Sequence, residues 1–280
     1  METEKINLIK QKAKDIRISI IEMLVKAGSG HSAGPLGMSD IFATLYFSEL
    51  KHDPRNPFWE ARDKVVLSNG HICPVLYATM AHANYFPMEK LFTLRQLGSI
   101  LQGHPHREFL PMLETSSGPL GSGLSQAIGM ALVDKKEFKD NNIKYIYCLI
   151  SDGEQNEGQI WEAALLGARE KLDNLIVFVD RNYIQIDGKT EDVLPLDPMN
   201  KKWEDFNWHV QEIDGHDINA IINSINIAKN TKGKPSIIIA NTTPGKGVSF
   251  MENNYIWHGK APNVDEAEIA LKELKSIEIN

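Results

Sequence analysis

The chain has 280 residues, 42% apolar and 24% charged, the proportions of an ordinary soluble globular protein with a large core. A formal net charge of −7 disfavours nucleic acid and anionic membrane surfaces as partners, although an anionic ligand met locally by a metal or by helix ends is compatible with it. The N-terminus has no apolar signal core, no run reaches transmembrane length, and Cys73 and Cys148 make no disulfide framework, so a reducing cytoplasm is the expected compartment.

The first predicted helix covers residues 5–27, with Ile16, Ile20, Met23, Leu24 and Ala27 on one face and Gly28 and Gly30 ending it. Gly30-His31-Ser32-Ala33-Gly34-Pro35-Leu36-Gly37 is too rich in glycine for regular structure and reads as a loop before a helix from Ser39 to Leu50. A short strand, Lys64 to Leu67, runs into Ser68-Asn69-Gly70-His71, and Pro74 suits the first turn of the next helix. His104 falls in the loop Gln102 to His106. Gly118-Pro119-Leu120-Gly121-Ser122-Gly123 leads into a helix carrying Leu124, Ala127, Ile128 and Ala131 on one side, an arrangement that offers backbone N–H groups to phosphate oxygens.

The central stretch is Lys144 to Gly188. A strand over Tyr145–Ile150 breaks at Ser151-Asp152-Gly153, and a helix from Gln159 to Leu172 is expected to bury Trp161, Ala164, Leu165, Ala168 and Leu172. A second strand, Leu175–Val179, ends at Asp180-Arg181-Asn182. Beyond it come a strand at Trp208–Ile213, a helix at Ile218–Lys229 and a strand at Pro235–Ala240. A loop holding Gly245, Lys246, Gly247, His258 and Gly259 follows, then a last helix capped by Asn263 and Glu266. Strands alternating with helices predict a doubly wound, mostly parallel α/β sheet with helices on both faces. No composition break marks a linker, so residues 1–280 are expected to form one domain.

Open parallel sheets bind ligands at the carboxyl ends of their strands. Asp152 and Asn182 stand at two such ends, and with the Ile184 carbonyl they make three hard oxygen donors, a set suited to Mg²⁺ that also carries phosphate oxygens and water. Spacing alone favours a helix-capping Asp152 and a turn-forming Asn182 over a metal site. Glu157 and Glu162, near a helix start, suit the helix dipole. His31, His71, His104 and His258 each sit beside glycine in a loop, where they can line a polar pocket and move protons, and they lack zinc-type spacing.

In this order the pieces resemble the N-terminal third of transketolase, the thiamine-diphosphate domain, from about residue 10 to 265. Ser151-Asp152-Gly153, then 27 residues, then Arg181-Asn182 matches the G-D-G…N cofactor motif. Gly30-His31 with Gly34-Pro35-Leu36-Gly37-Met38, Leu67 to His71, Gly103-His104-Pro105, Gly118 to Gly121, Ile186-Asp187-Gly188 and Trp257 to Lys260 match the family specifically. The resemblance implies thiamine diphosphate and Mg²⁺ as cofactors, with Ca²⁺ or Mn²⁺ as substitutes. It implies Asp152, Asn182 and the Ile184 carbonyl as metal ligands, and Gly118, Leu120, Gly153 and His71 as cofactor contacts. The four histidines become the groups that hold the ketose and shuttle protons, and Glu157 and Glu162 become acids at an interface between active sites. Three positions depart from the family pattern: Ser151 replaces the first glycine, Ser32 replaces a proline, and Pro244 stands where some relatives have a lysine, for which Lys246 is the expected substitute.

Full-length transketolase continues into pyrimidine-binding and C-terminal domains. The resemblance therefore implies the first subunit of a split enzyme, paired as α2β2 with a second subunit that carries those domains, and transferring a two-carbon ketol unit between sugars or sugar phosphates. The alternatives are the alpha subunit of a thiamine-dependent 2-oxo acid dehydrogenase, a non-catalytic cofactor-binding subunit, and a Mg²⁺ phosphohydrolase using Asp152.

Overall fold

Successive side chains of a strand point to opposite faces, and the three central strands are apolar nearly throughout, so both faces of their sheet have to be covered. A computed structural model of the chain, describing residues 2–137 and 143–279, shows how. Strands β1 (Lys64–Leu67), β2 (Ile146–Ser151), β3 (Leu175–Arg181), β6 (His209–Asp214) and β7 (Ser236–Asn241) form a five-stranded parallel sheet in the order β1-β2-β3-β7-β6. Two short strands, β4 (Ile184–Gln185) and β5 (Gly188–Lys189), pair as an antiparallel hairpin just past β3 and lead into α6 (Thr190–Val193).

One face of the sheet presents Leu67, Tyr147, Leu149, Ile176, Phe178 and Ile238. They pack with α1 (Glu2–Ala27), α2 (Ala33–Thr44), α3 (Cys73–His82), α8 (Ile218–Asn230) and α9 (Val264–Ser276). The other face presents Val66, Cys148, Ile150, Val177, Val179 and Ile239 to α4 (Ser122–Glu137), α5 (Gly158–Arg169) and α7 (Met199–Asp205). Each such Leu, Ile or Val contributes about 1.5–3 kcal/mol when fully buried. The predicted alternation and the helices on both faces are present. The face of α1 read from the sequence is buried from Ile16 to Leu24, Pro74 lies in the first turn of α3, and Asn263 and Glu266 make a reciprocal capping box on α9.

Two local expectations are corrected. The glycine-rich stretch after His31 is not a loop: α2 begins at Ala33, and its chain continues past Thr44 as a π-helical turn over Leu45–Glu49. Its glycines serve close packing. A Cβ on Gly34 would lie 2.8 Å from the Ile72 side chain, and one on Gly37 would lie 3.0 Å from the Thr243 carbonyl oxygen. The second correction concerns α5, which stops at Arg169 because Lys171 takes a left-handed φ of 51°. Its buried stripe is Ile160, Ala163, Ala164 and Gly167, Leu172 reaches the core from the turn beyond, and Leu165 points outward, 61% exposed. The helix turns this way because Gly167 admits the Trp208 ring, to which a Cβ would come within 3.0 Å.

Candidate active site

The register of β2 and β3 pairs Ser151 with Asp180, which brings the two turns after these strands side by side. Asp152 is 1% exposed, and its carboxylate collects donors from both turns. Oδ1 accepts from the Gly153 N–H at 2.6 Å, and Oδ2 accepts from the Tyr183 N–H at 2.8 Å, from Thr190 Oγ1 at 3.3 Å and from Arg181 Nη1 at 3.4 Å. Burial pushes Asp152 up to about 6, and these hydrogen bonds and the Arg181 charge work against that rise. Asn182 is fixed through its amide: Nδ2 donates to Asp180 Oδ2 at 2.8 Å, leaving Oδ1 to accept from the Ile184 N–H at 3.1 Å. Asp180 is also held by Thr242 Oγ1 at 2.5 Å, and its burial, with the nearby Asp152 charge, pushes it up to about 7.

The donor set tests whether a cation and a diphosphate fit here. One carboxylate, one amide oxygen and backbone carbonyls are hard, oxygen-only ligands. Among the described residues no group of three or more His, Cys, Asp or Glu is placed to hold a metal ion by itself, so an ion here would need ligand oxygens to complete its shell. A buried carboxylate whose protonation is favoured by burial gains from a divalent cation. The residues present fit such a pair.

Asp152, Asn182 and Ile184 line a cleft of about 310 Å³ together with Gly118, Leu120 and Gly153. His31, His71, His104 and His258 enter the same cleft from four separate loops. Ring centroids are 5.0 Å apart for His31 and His71, 5.2 Å for His71 and His258, and 5.7 Å for His31 and His258. Burial lowers all four imidazoles. His31 falls to about 4 with further help from the His258, Arg95 and His104 charges, and His71 falls well below the usual range. The Nδ1 atoms of His31 and His258 are buried without a hydrogen-bond partner. Ser32 ties two of these loops together, its Oγ donating to the carbonyls of Lys260 at 2.8 Å and Trp257 at 3.2 Å.

Lys246 stands in the turn after β7, where its N–H donates to the Thr243 carbonyl, and it is not among the residues lining the cleft. Glu157 and Glu162 are also outside it, exposed on the surface at the start of α5.

Sequence reasoning passes over Glu154, which is fully buried beside the cleft. Its Oε1 accepts from Ser68 Oγ and from the Gly121 N–H at 2.5 Å, and Oε2 accepts from the Ser151 N–H at 3.0 Å. Gln159 Nε2 adds a bond to the Leu120 carbonyl at 2.6 Å, so the glycine loop is held by β1, β2 and α5 at once. Arg181 is passed over too. Only 2% exposed, it joins Asp152 to Glu191 at 2.7 Å and Asp197 at 3.2 Å and stacks on the Tyr183 ring at 4.1 Å. An acid directly after Asp152-Gly153 and a cation directly before Asn182 are the available signals.

The sequence profile of the family described as transketolase, thiamine diphosphate binding domain, matches residues 8–276. The chain is 42% identical over 275 residues to the 6-deoxy-6-sulfo-D-fructose transketolase subunit SqwG of Clostridium sp. (strain MSTE9), covering 98% of each chain. It is 41% identical over 268 residues to an apulose-4-phosphate transketolase subunit from Actinobacillus succinogenes, covering 95% of this chain and 96% of that protein. The transketolase of Leishmania mexicana superposes with a TM-score of 0.90 at 32% identity, over 97% of this chain but only 42% of its own. A cleft that gathers four loop histidines above the Asp152–Asn182 strand ends, within a fold and a sequence of this kind, places the chain in the transketolase family, as a thiamine diphosphate binding domain.

Proposed function

We infer that the chain is the cofactor-binding subunit of a two-component transketolase that moves a two-carbon ketol unit from a ketose to an aldose. The observation that carries this reading is the convergence of His31, His71, His104 and His258 on the cleft that also holds Asp152, Asn182 and Ile184. The relatives SqwG and the apulose-4-phosphate transketolase subunit, matched along nearly their whole length, are named as subunits, which supports a second polypeptide; that polypeptide would carry the remaining domains, in an α2β2 assembly. Glu157 and Glu162 would lie where two such active sites meet.

Thiamine diphosphate, when bound, supplies the electron sink for breaking and making the carbon–carbon bond. Asp152, Asn182 and the Ile184 carbonyl would hold Mg²⁺ on its diphosphate, and the backbone at Gly118, Leu120 and Gly153 would face the cofactor. Burial keeps the cleft imidazoles neutral at pH 7, so each ring offers one N–H donor and one acceptor nitrogen to a polyol. His31, His71, His104 and His258 line the cleft, where their imidazoles would bind ketose hydroxyls and take or return a proton. A pocket of four imidazoles suits a polyhydroxylated substrate, whereas decarboxylating a 2-oxo acid needs no pocket for a polyol.

The test is co-purification with the second subunit followed by a ketose-plus-aldose assay with Mg²⁺ and thiamine diphosphate. Ketol transfer is expected from the pair. His104→Ala and His258→Ala are each expected to reduce kcat roughly 100-fold while the two polypeptides still co-elute. Wild-type turnover in both variants, or a pair that oxidises pyruvate and transfers no ketol unit, would sink the reading.

A further inference from the structure

Arg95 has a backbone φ of 62°, in the left-handed region that costs a non-glycine residue of order 1–3 kcal/mol. Its N–H closes the loop onto the Leu101 carbonyl at 2.9 Å, and the exposed side chain, which is not itself among the residues lining the cleft, lies against the glycines that precede His31 and His104. A Cβ on Gly103 would lie 3.0 Å from the guanidinium carbon, and one on Gly30 would lie 3.7 Å from Nε. Both cleft histidines preceded by these glycines, His31 and His104, thus border room taken by the guanidinium, and both feel its charge, which helps hold them below the usual imidazole range.

Arg95 makes one long hydrogen bond, from Nη2 to the Gly103 carbonyl at 3.5 Å, and among the described residues no carboxylate pairs with it. Arg17, Arg55, Arg62, Arg169 and Arg181 have acidic partners, and among the described residues Arg107 shares with Arg95 the lack of one. A guanidinium presents five N–H donors in a planar fork that matches two oxygens of a phosphate or sulfonate. Here most of that fork stays open, beside the glycines next to His31 and His104, two of the residues that line the cleft.

We propose that Arg95, framed by Gly30-His31 and Gly103-His104, is an anion subsite through which this chain itself grips the charged terminus of the sugar, a phosphate or a sulfonate. The proposal rests on the ketol-transfer reading and assigns part of substrate selection to this polypeptide instead of leaving it wholly to the partner.

The experiment compares wild type, Arg95→Gln and Arg95→Lys in the reconstituted enzyme. The donors are fructose 6-phosphate, 6-deoxy-6-sulfofructose and neutral L-erythrulose. In Arg95→Gln the ratio of kcat/KM for a charged donor over erythrulose is expected to fall about tenfold or more through KM, with Arg95→Lys in between. A fall for one charged donor alone identifies which anion the subsite takes. A ratio within twofold of wild type for both charged donors would overturn the proposal, because a guanidinium that only fills the space beside Gly30 and Gly103 changes all donors alike. A second readout separates this from failure of ketol transfer itself. With thiamine diphosphate and Mg²⁺ present, inorganic phosphate is expected to shift the His31 and His104 ring proton signals of the full chain in wild type and not in Arg95→Gln. Identical shifts in both proteins, or none in wild type, would also overturn it.

Discussion

His31, His71 and His258 pack their rings within 5.7 Å of one another, a spacing at which three protonated imidazoles would repel strongly. Their neutrality has a thermodynamic consequence of fixed sign. An unfolded chain binds a proton at each histidine below about pH 6.5, whereas folded His31 does so only near 4. The unfolded state therefore holds more protons in that interval, and the imidazoles lower stability as pH falls through 6.5 until folded His31 protonates near 4. Asp152 and Asp180, pushed up to about 6 and about 7, act in the opposite sense, because the folded state takes up protons there before the unfolded one does. Subtracting a variant isolates the histidine contribution. Urea denaturation of wild type and His31→Gln from pH 7.5 to 4.5 is expected to give stabilities that diverge in favour of the variant by on the order of 1–3 kcal/mol at the acid end. Parallel curves would mean that His31 titrates normally in the folded chain.

At the scale of elements, Glu154 is the knot: one carboxylate satisfies donors from the end of β1, from the glycine loop before α4 and from the last residue of β2. Burial raises the pKa of this carboxyl, and the hydrogen bonds from Ser68, Gly121 and Ser151 work against that rise. Glu154→Ala would strand the Gly121 and Ser151 N–H groups without acceptors, each costing about 1–3 kcal/mol. The expected result is a fall in Tm of roughly 5–10 °C together with weaker thiamine diphosphate binding by calorimetry, since Gly118 and Leu120 sit in the loop released. An unchanged Tm would show that the loop is held by Gln159 alone. This knot also shows where sequence legibility stops. Strand ends, the order of motifs and the caps are local properties, and apolar runs ending in Asp152 and Asn182 disclose them. Helix α2 reads as a loop because Gly34 and Gly37 are small for the sake of Ile72 and Thr243, residues distant in the chain. Glu154 and Arg95 escape notice for the same reason: their partners lie at Ser68, Gly121, Gly30 and Gly103.

For the molecule as a whole, the outward face of α5 is one surface that its own core does not explain. Leu165 is 61% exposed and Leu166 40%, on the helix whose start carries the exposed Glu157 and Glu162. Two leucines in water beside two acids are a poor solvent face, and such patches usually mark interaction sites. The start of α5 also leads straight from the Ser151-Asp152-Gly153 turn, so a partner seated on this face would sit within one short helix of the cleft. Such a partner would let assembly and cofactor site depend on each other, as the proposed two-component enzyme would require. Replacing Leu165 and Leu166 together, as Leu165→Glu with Leu166→Glu, removes apolar surface that the folded chain leaves partly in water and outside the buried stripe of α5. Circular dichroism and Tm are therefore expected to stay near wild type, while sedimentation of the reconstituted enzyme shifts to smaller species and ketol transfer falls with it. An assembly of undiminished size would place the contact between the polypeptides elsewhere on the chain and leave Glu157 and Glu162 as acids that serve only the dipole of α5.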